Sequence, residues 1–383
     1  MTQCKIIGGT TEENMTDNLK WSDYDFTKIP FDDLVSVGQR SLIYRDLFTV
    51  SWLLGRYCNY RCSYCWPYAR SDKKDHRPTE LCIKTIDEIK RQARGNGFNS
   101  FHFSLSGGEP TFHPGYLDIL RYLADDVENT NYTSIHMTSN CSRPITWFEE
   151  YVDRAKPFHR ASVTASLHTE HLNTKEKMQD FADKLILCQE HDVQVTINMV
   201  MVPDWFERDW DNALFFHEQG INVTLKPQSD PTASRVVDGY TDEMMKKLWN
   251  GMPQRGYTEA RRKWSNRPQA TFDVPTGTAG ENDTSVPAHF QIEFEDSTGK
   301  KWYMDQAERF NAFEFNNFNG WLCNSGYQGI VIREPDGSIK RSYSCWDAPL
   351  GNIETGFRLF DKPMKCTSPN CVSSADSKLP KRK

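Results

Sequence analysis

Residues 55–66 read GRYCNYRCSYCW and place three thiols, Cys58, Cys62 and Cys65, in the spacing C-x3-C-x2-C. Just before them, residues 47–54 (LFTVSWLL) form an apolar, partly β-branched run that reads as a buried strand. The cysteines therefore stand on a loop leaving the carboxyl end of a strand. Three sulfurs so close cannot all pair as disulfides, and a tetrahedral zinc site wants a fourth ligand nearby. Closely spaced thiolates are also how iron–sulfur clusters are held. A four-iron cube on three protein thiolates keeps one iron open to a small molecule. The alternatives are a zinc knuckle or three unrelated buried thiols.

Downstream of this loop the pattern becomes regular. Thr79, after Pro78, opens a helix to about Ala93 that Gly95 and Gly97 end. Residues 100–106 (SFHFSLS), 132–138, 161–167, 193–202 and 222–226 read as further strands. Helices are expected over 114–127, 145–152, 174–190 and 209–219. Strands alternating with helices predict an α/β fold whose sheet is parallel with right-handed crossovers. Six such units fill residues 46–228, and in parallel α/β barrels the chemistry gathers at the carboxyl ends of the strands.

Polar motifs fall at those ends. Ser106-Gly107-Gly108-Glu109-Pro110 follows the second strand, where glycines let backbone approach a ligand and an acid accepts from an ammonium. Thr138-Ser139-Asn140 ends the third strand and Ser166-Leu167-His168 the fourth. Asn198 lies on the fifth, with Lys226 and Gln228 at the sixth. Each has a plainer reading: a strand-to-helix turn at 107–110, a loop cap at Asn140, a structural His168, and satisfied interior polar groups at Asn198, Lys226 and Gln228.

On the three cysteines, with Tyr64 directly before the third, and on Gly107–Pro110 one β-α unit later, the chain resembles the radical S-adenosylmethionine (SAM) superfamily. The resemblance implies a partial (β/α)6 TIM-like barrel with a [4Fe–4S] cluster on Cys58, Cys62 and Cys65. It further implies that the open iron is chelated by SAM, which is reductively split to methionine and a 5′-deoxyadenosyl radical. Gly107, Gly108, Glu109 and Pro110 then bind the amino group of SAM. Ser139, Asn140 and Ser166 lie near SAM, and Asn198 is a weaker candidate. His168, where relatives often carry Asp, stays among the candidate cofactor-binding residues and could hydrogen-bond substrate.

A second cysteine set comprises Cys323, Cys345, Cys366 and Cys371, interleaved with Gly326, Pro335-Asp336-Gly337 and Leu350-Gly351-Asn352-Ile353. It resembles the short "twitch" relative of the SPASM extension, although the gap from Gly337 to Cys345 is longer than that family's usual spacing. The resemblance implies a small auxiliary domain over 315–375, a β-hairpin plus helix holding a second [4Fe–4S] cluster. Four thiolates fill all four irons of one cube, which suits electron relay or support. A Cys4 zinc site is the alternative. Cys4, Cys82, Cys141 and Cys188 read as structural, with Cys141, just past a strand end, the one to test as a hydrogen-atom donor.

Residues 1–45 read as an extension draped on the core. Residues 229–314 read as an irregular region with a helix near 241–251 and a hairpin turning at Ser297-Thr298-Gly299. Residues 376–383 (from DSKLPKRK) read as a solvated tail. The 383 residues are 38% hydrophobic and 26% charged, a globular composition. A net charge of −6 without long blocks argues against a nonspecific nucleic-acid or anionic-membrane surface. No apolar run spans a bilayer and no secretory signal opens the chain, so it is expected in the cytoplasm. The expected activity is a radical SAM oxidoreductase acting on a small sugar, aminocyclitol or nucleotide-linked molecule. It would draw electrons from a flavodoxin or ferredoxin-type reductant and pass one to the auxiliary cluster. A maturase of a ribosomally made peptide, and a non-enzymatic iron–sulfur or zinc protein, are the alternatives.

Overall fold

A computed structural model describes residues 25–40, 46–66, 69–231, 235–252, 290, 292–304, 307, 309–345, 347–371 and 373–383. After β1 (Leu34–Gln39), six strands follow one another: β2 (Leu47–Leu53), β3 (Ser100–Ser106), β4 (Tyr132–Ser139), β5 (Arg160–Leu167), β6 (Val193–Met201) and β7 (Asn222–Pro227). Each pairs parallel with the next in sequence order. The crossovers are α1 (Thr79–Gly95), α2 (Tyr116–Asp125), α3 (Ile145–Ala155), α4 (Lys175–Glu190) and α5 (Phe206–Glu218). The alternation of strands and helices read from the sequence is therefore present.

Period-two patterning sets the two faces of this sheet. On β5, Ala161, Val163, Ala165 and Leu167 are buried while Ser162, Thr164 and Ser166 between them are half-buried. Ile86, Ile89 and Ala93 of α1 and Phe181 and Leu185 of α4 join the same core as the buried strand residues. The opposite face is polar. Register aligns Ser104, His136, Ser162 and Gln194 in one row across β3–β6. Thr138, Thr164, Thr196 and Asn222 make the next row, and Ser166, Asn198 and Thr224 the one nearest the carboxyl ends. A parallel strand covered by apolar packing on both faces reads as a continuous hydrophobic run. These strands alternate, so helices cover one face only.

On the other side of β2, β11 (Gly329–Ile332) adds in parallel, after β8 (Ile292–Asp296), β9 (Lys301–Met304) and β10 (Leu322–Cys323) have gone to a second sheet. Antiparallel β12 (Ser338–Lys340), β13 (Gly351–Asn352) and β14 (Gly356–Phe357) extend the first sheet to ten strands. The remaining elements are α6 (Asp242–Asn250), α7 (Arg309–Ala312), β15 (Met364–Lys365), α8 (Ser374–Ser377) and β16 (Lys381–Arg382). The second sheet runs β15-β10-β16-β1-β8-β9. Phe294, Phe310, Phe315, Phe318 and Trp321 pack against it.

Two expectations change here. The stretch read as a draped extension contributes β1, which pairs antiparallel with both β8 and β16; residues 1–24 and 41–45 lie outside the described residues. The tail read as solvated is instead built into the sheet. Lys381 is buried and its ammonium donates to the carbonyls of Asp376, Ser377 and Leu379 at 2.7, 2.9 and 2.9 Å. Three internal acceptors replace water around the charge, so the basic composition of this segment does not keep it in solvent. The expected hairpin is present, with Gly299 at φ +83 in its turn. Most of the irregular region, including residues 253–289, lies outside the described residues, as does Cys4.

Candidate active site

Two glycines let the turn after β3 lie directly on the cysteine loop. The N–H groups of Gly108 and Glu109 donate to the carbonyls of Gly55 and Tyr57 at 2.9 and 2.6 Å. A Cβ on Gly107 would stand 2.3 Å from the Gly55 oxygen, and one on Gly108 2.3 Å from the Arg56 oxygen. Any side chain at either position forces the two loops apart.

Glu109 is 1% exposed and ties three segments together. Its Oε1 accepts from the Thr111 N–H, the Thr111 hydroxyl and the Ser139 hydroxyl at 3.2, 2.7 and 2.8 Å, and its Oε2 from the Asn140 N–H at 2.6 Å. Burial pushes this carboxyl up from its usual range, and the four donors pull back toward the anion. Pro110 begins a one-turn helix at the same turn. The Asn140 amide donates to the Asn59 side-chain oxygen at 2.9 Å and lies 3.9 Å from the Cys58 sulfur. The ends of β3 and β4 thus converge on the loop that carries the thiols.

Cys62 is buried and Cys58 and Cys65 are half-buried. Burial is the main cause that pushes Cys58 up to about 11 and Cys62 up to about 12, and in both the neighbouring thiolates add to it. The sulfurs are therefore close enough to resist one another's ionisation. Three such thiols become thiolates together only around a cation. A set of three thiolates is donor chemistry that suits an iron–sulfur cluster.

The loop after β5 grips the cysteine loop from the other side. The Tyr64 hydroxyl and His168 Nδ1 share a hydrogen bond at 2.7 Å. The Arg61 N–H donates to His171 Nε2 at 3.2 Å, and Tyr60 stacks on His171 with centroids 4.0 Å apart and planes 8° apart. Ser63 donates its N–H to Glu170 at 2.9 Å and its hydroxyl to the same carboxylate. Burial, then the nearby His171, lowers His168 to about 4, so its ring is neutral. Glu170 and His171 escaped the sequence reading. Their only signal there was position, immediately after a strand end.

Ser166 and Asn198 face each other across β5 and β6 on the polar side of the sheet. Cys141 is buried with φ +52, and its thiol contacts the Ser139 carbonyl at 3.7 Å. Nothing else in its geometry marks it as a hydrogen-atom donor.

Hydrogen bonds bring the segments of the second thiol set together, with Ser344 bonded to Ser368 and Ser373. Cys323 stands on β10, Cys366 follows β15, and main-chain bonds from Cys366 to Trp321 and from Cys371 to Asn316, both 2.7 Å, hold the late cysteines against it. Burial pushes Cys345 to about 11 and Cys371 to about 12, and Cys323 adds repulsion to Cys345, Cys366 and Cys371. Lys381 and Arg341 act on Cys366 in the opposite sense. An all-sulfur set fits a cubic cluster or zinc.

Residues 52–217 match the model of the radical SAM superfamily. The match begins within β2 and ends within α5, so it encloses Cys58, Cys62, Cys65 and Gly107–Pro110. Over this segment the chain is similar to the radical SAM superfamily. Among solved structures, the chain is similar to "Native anSMEcpe with bound AdoMet", at 16% identity and a TM-score of 0.46, covering 81% of this chain and 79% of that one. "Native anSMEcpe with bound AdoMet and Kp18Cys peptide" is similar at 15% identity and a TM-score of 0.45, with the same coverage. No curated protein matches the chain.

Proposed function

We propose that the protein is a radical SAM oxidoreductase that removes a hydrogen atom from a small, oxygen-rich molecule and passes a second electron to an auxiliary cluster. The observation that carries the reading is the trio Cys58, Cys62 and Cys65 on one loop, pressed against the Gly107-Gly108 turn. With its cluster and SAM bound, such a site supplies a 5′-deoxyadenosyl radical. The chain's own residues then hold and orient. Glu109 Oε1 is saturated by three donors whereas Oε2 has one, so Oε2 keeps acceptor capacity toward the SAM amino group. Ser139, Asn140, Ser166 and Asn198 stand at the rim where the rest of SAM would lie, and His168 acts by fixing Tyr64 beside Cys65.

The six parallel strands form a partial barrel, with the polar face inward as the substrate chamber. Its three rows offer hydroxyl, amide and imidazole groups and no carboxylate. A polyol or sugar-like molecule satisfies such groups, whereas an apolar side chain leaves them unpaired. Cys323, Cys345, Cys366 and Cys371 hold the auxiliary [4Fe–4S] cluster. A flavodoxin or ferredoxin-type protein is the reductant, and the compartment is the cytoplasm. No helix among the described residues is long and apolar enough to cross a membrane.

The test is anaerobic reconstitution, a count of iron and sulfide, and a screen of sugars, aminocyclitols and nucleotide sugars for substrate-dependent 5′-deoxyadenosine. Peptides serve as the competing arm, and turnover with peptides alone transfers the reading to a maturase. Zinc without iron, or reduced protein that leaves SAM intact, overturns it.

A further inference from the structure

The carboxylate of Glu170 stands against the cysteine loop without a part in the chemistry described so far. Ligand atoms of Cys62, Glu170 and His171 all lie within 4.8 Å of one another. A separate cation between them is disfavoured, because the acid and the imidazole already accept from the main chain. Glu170 takes the N–H and hydroxyl of Ser63, and His171 takes the N–H of Arg61. The donors on both sides of Cys62 are thereby turned toward the loop after β5 and away from sulfur.

We propose that Glu170 sets the reduction potential of the cluster on Cys58, Cys62 and Cys65, acting as a fixed negative charge beside the Cys62 sulfur and as the acceptor that occupies the Ser63 donors. Reduction adds one electron to the cluster, and a nearby anion opposes that addition. Hydrogen bonds to cluster sulfur ease it, and here the Ser63 donors are withheld. Both effects make the reduced cluster a stronger donor. The electron arrives from the external reductant and leaves into the SAM sulfonium, whose bond to C5′ breaks, so a stronger donor drives the cleavage. The inference rests on reading those three thiols as cluster ligands.

Glu170 is a positioning residue, so its test needs a readout that a merely structural role leaves unmoved. Full-length protein is reconstituted and titrated with dithionite, following by EPR the component that changes when SAM is added. Glu170→Gln keeps an oxygen for the Ser63 N–H and removes the charge. Its SAM-responsive cluster should move to a more positive potential, with 5′-deoxyadenosine formation falling several-fold at unchanged iron content. Ser63→Ala keeps the charge and loses one hydrogen bond, and its potential should stay near wild type. An unchanged potential in Glu170→Gln, or an equal rise in both variants, overturns the proposal. If Glu170→Gln takes up no iron, Glu170→Asp decides, because it withdraws the charge by one methylene. A partial positive shift supports the proposal and none overturns it. Wild-type protein that binds no iron or cleaves no SAM defeats the functional reading itself, which is a distinct result.

Discussion

The main-chain N–H of Asn140 donates to the Glu109 carboxylate at 2.6 Å, so the end of β4 is fastened to the turn after β3 through a side chain. Glu109→Ala leaves that N–H and the Ser139 and Thr111 donors facing an apolar hole. Unmet buried donors cost about 1–3 kcal/mol each before relaxation, so a total loss of roughly 3 kcal/mol is expected from urea unfolding. Glu109→Gln preserves shape and should lose less stability. Its affinity for SAM should still fall, measured by equilibrium dialysis, because an amide attracts an ammonium more weakly than a carboxylate.

Changing Cys58, Cys62 and Cys65 together to Ala should abolish 5′-deoxyadenosine and remove one cluster equivalent of iron while leaving the second set loaded. Cys366→Ala or Cys371→Ala should do the reverse, sparing SAM cleavage more than substrate turnover. Iron and sulfide counts alongside product analysis check both. Equal loss of cleavage in the two groups would deny the second set a separate role.

Acid should weaken the fold through its buried histidines. Burial lowers His136 and His113 to about 4. His136 bonds to Ser162 and Thr138, with Arg160 and Lys378 also disfavouring its cation; His113 feels His76 and bonds to the Arg77 carbonyl. Both rings are neutral in the folded chain, whereas the unfolded chain protonates them near pH 6.5. The unfolded state therefore binds more protons as pH falls from about 6.5 toward 4, and stability drops across that window by about 2 kcal/mol per histidine by pH 5. Urea midpoints at pH 7.5 and 5.0 measure it, and His136→Gln should flatten the dependence.

Lys381→Met removes an ammonium that satisfies three buried carbonyls. A loss of about 3 kcal/mol is expected by denaturant unfolding. Lys381 also lies beside the second thiol set, where it favours the ionised form of Cys366 and Cys371, so this variant should take up iron there less completely.

The parallel sheet was legible because each β-α unit is local. Strand β3 falls on the expected residues, and the others agree to within a residue or two. Helix α5 starts earlier than expected, at Phe206, where a one-turn helix at Pro203–Trp205 runs straight into it. Apart from its β8–β9 hairpin, the second sheet was illegible for the opposite reason. Ser36 pairs with Arg382, and no periodicity in either short segment announces a partner so far away. At the site, the thiols and the glycine turn carry spacing that chemistry requires. Glu170 and His171 carry none, since their task is set by a loop that reaches them only in the folded chain.

Strand β16 lies between β10 and β1, so residues 381–382 are an interior rung of their sheet. The order of manufacture follows from that placement. On a ribosome the strand before the first thiol trio has both its parallel neighbours once β11 has emerged. The second quartet must wait for a rung that is synthesised after all four of its sulfurs. Cys323, Cys345, Cys366 and Cys371 therefore complete their surroundings only when the last-made strand has paired.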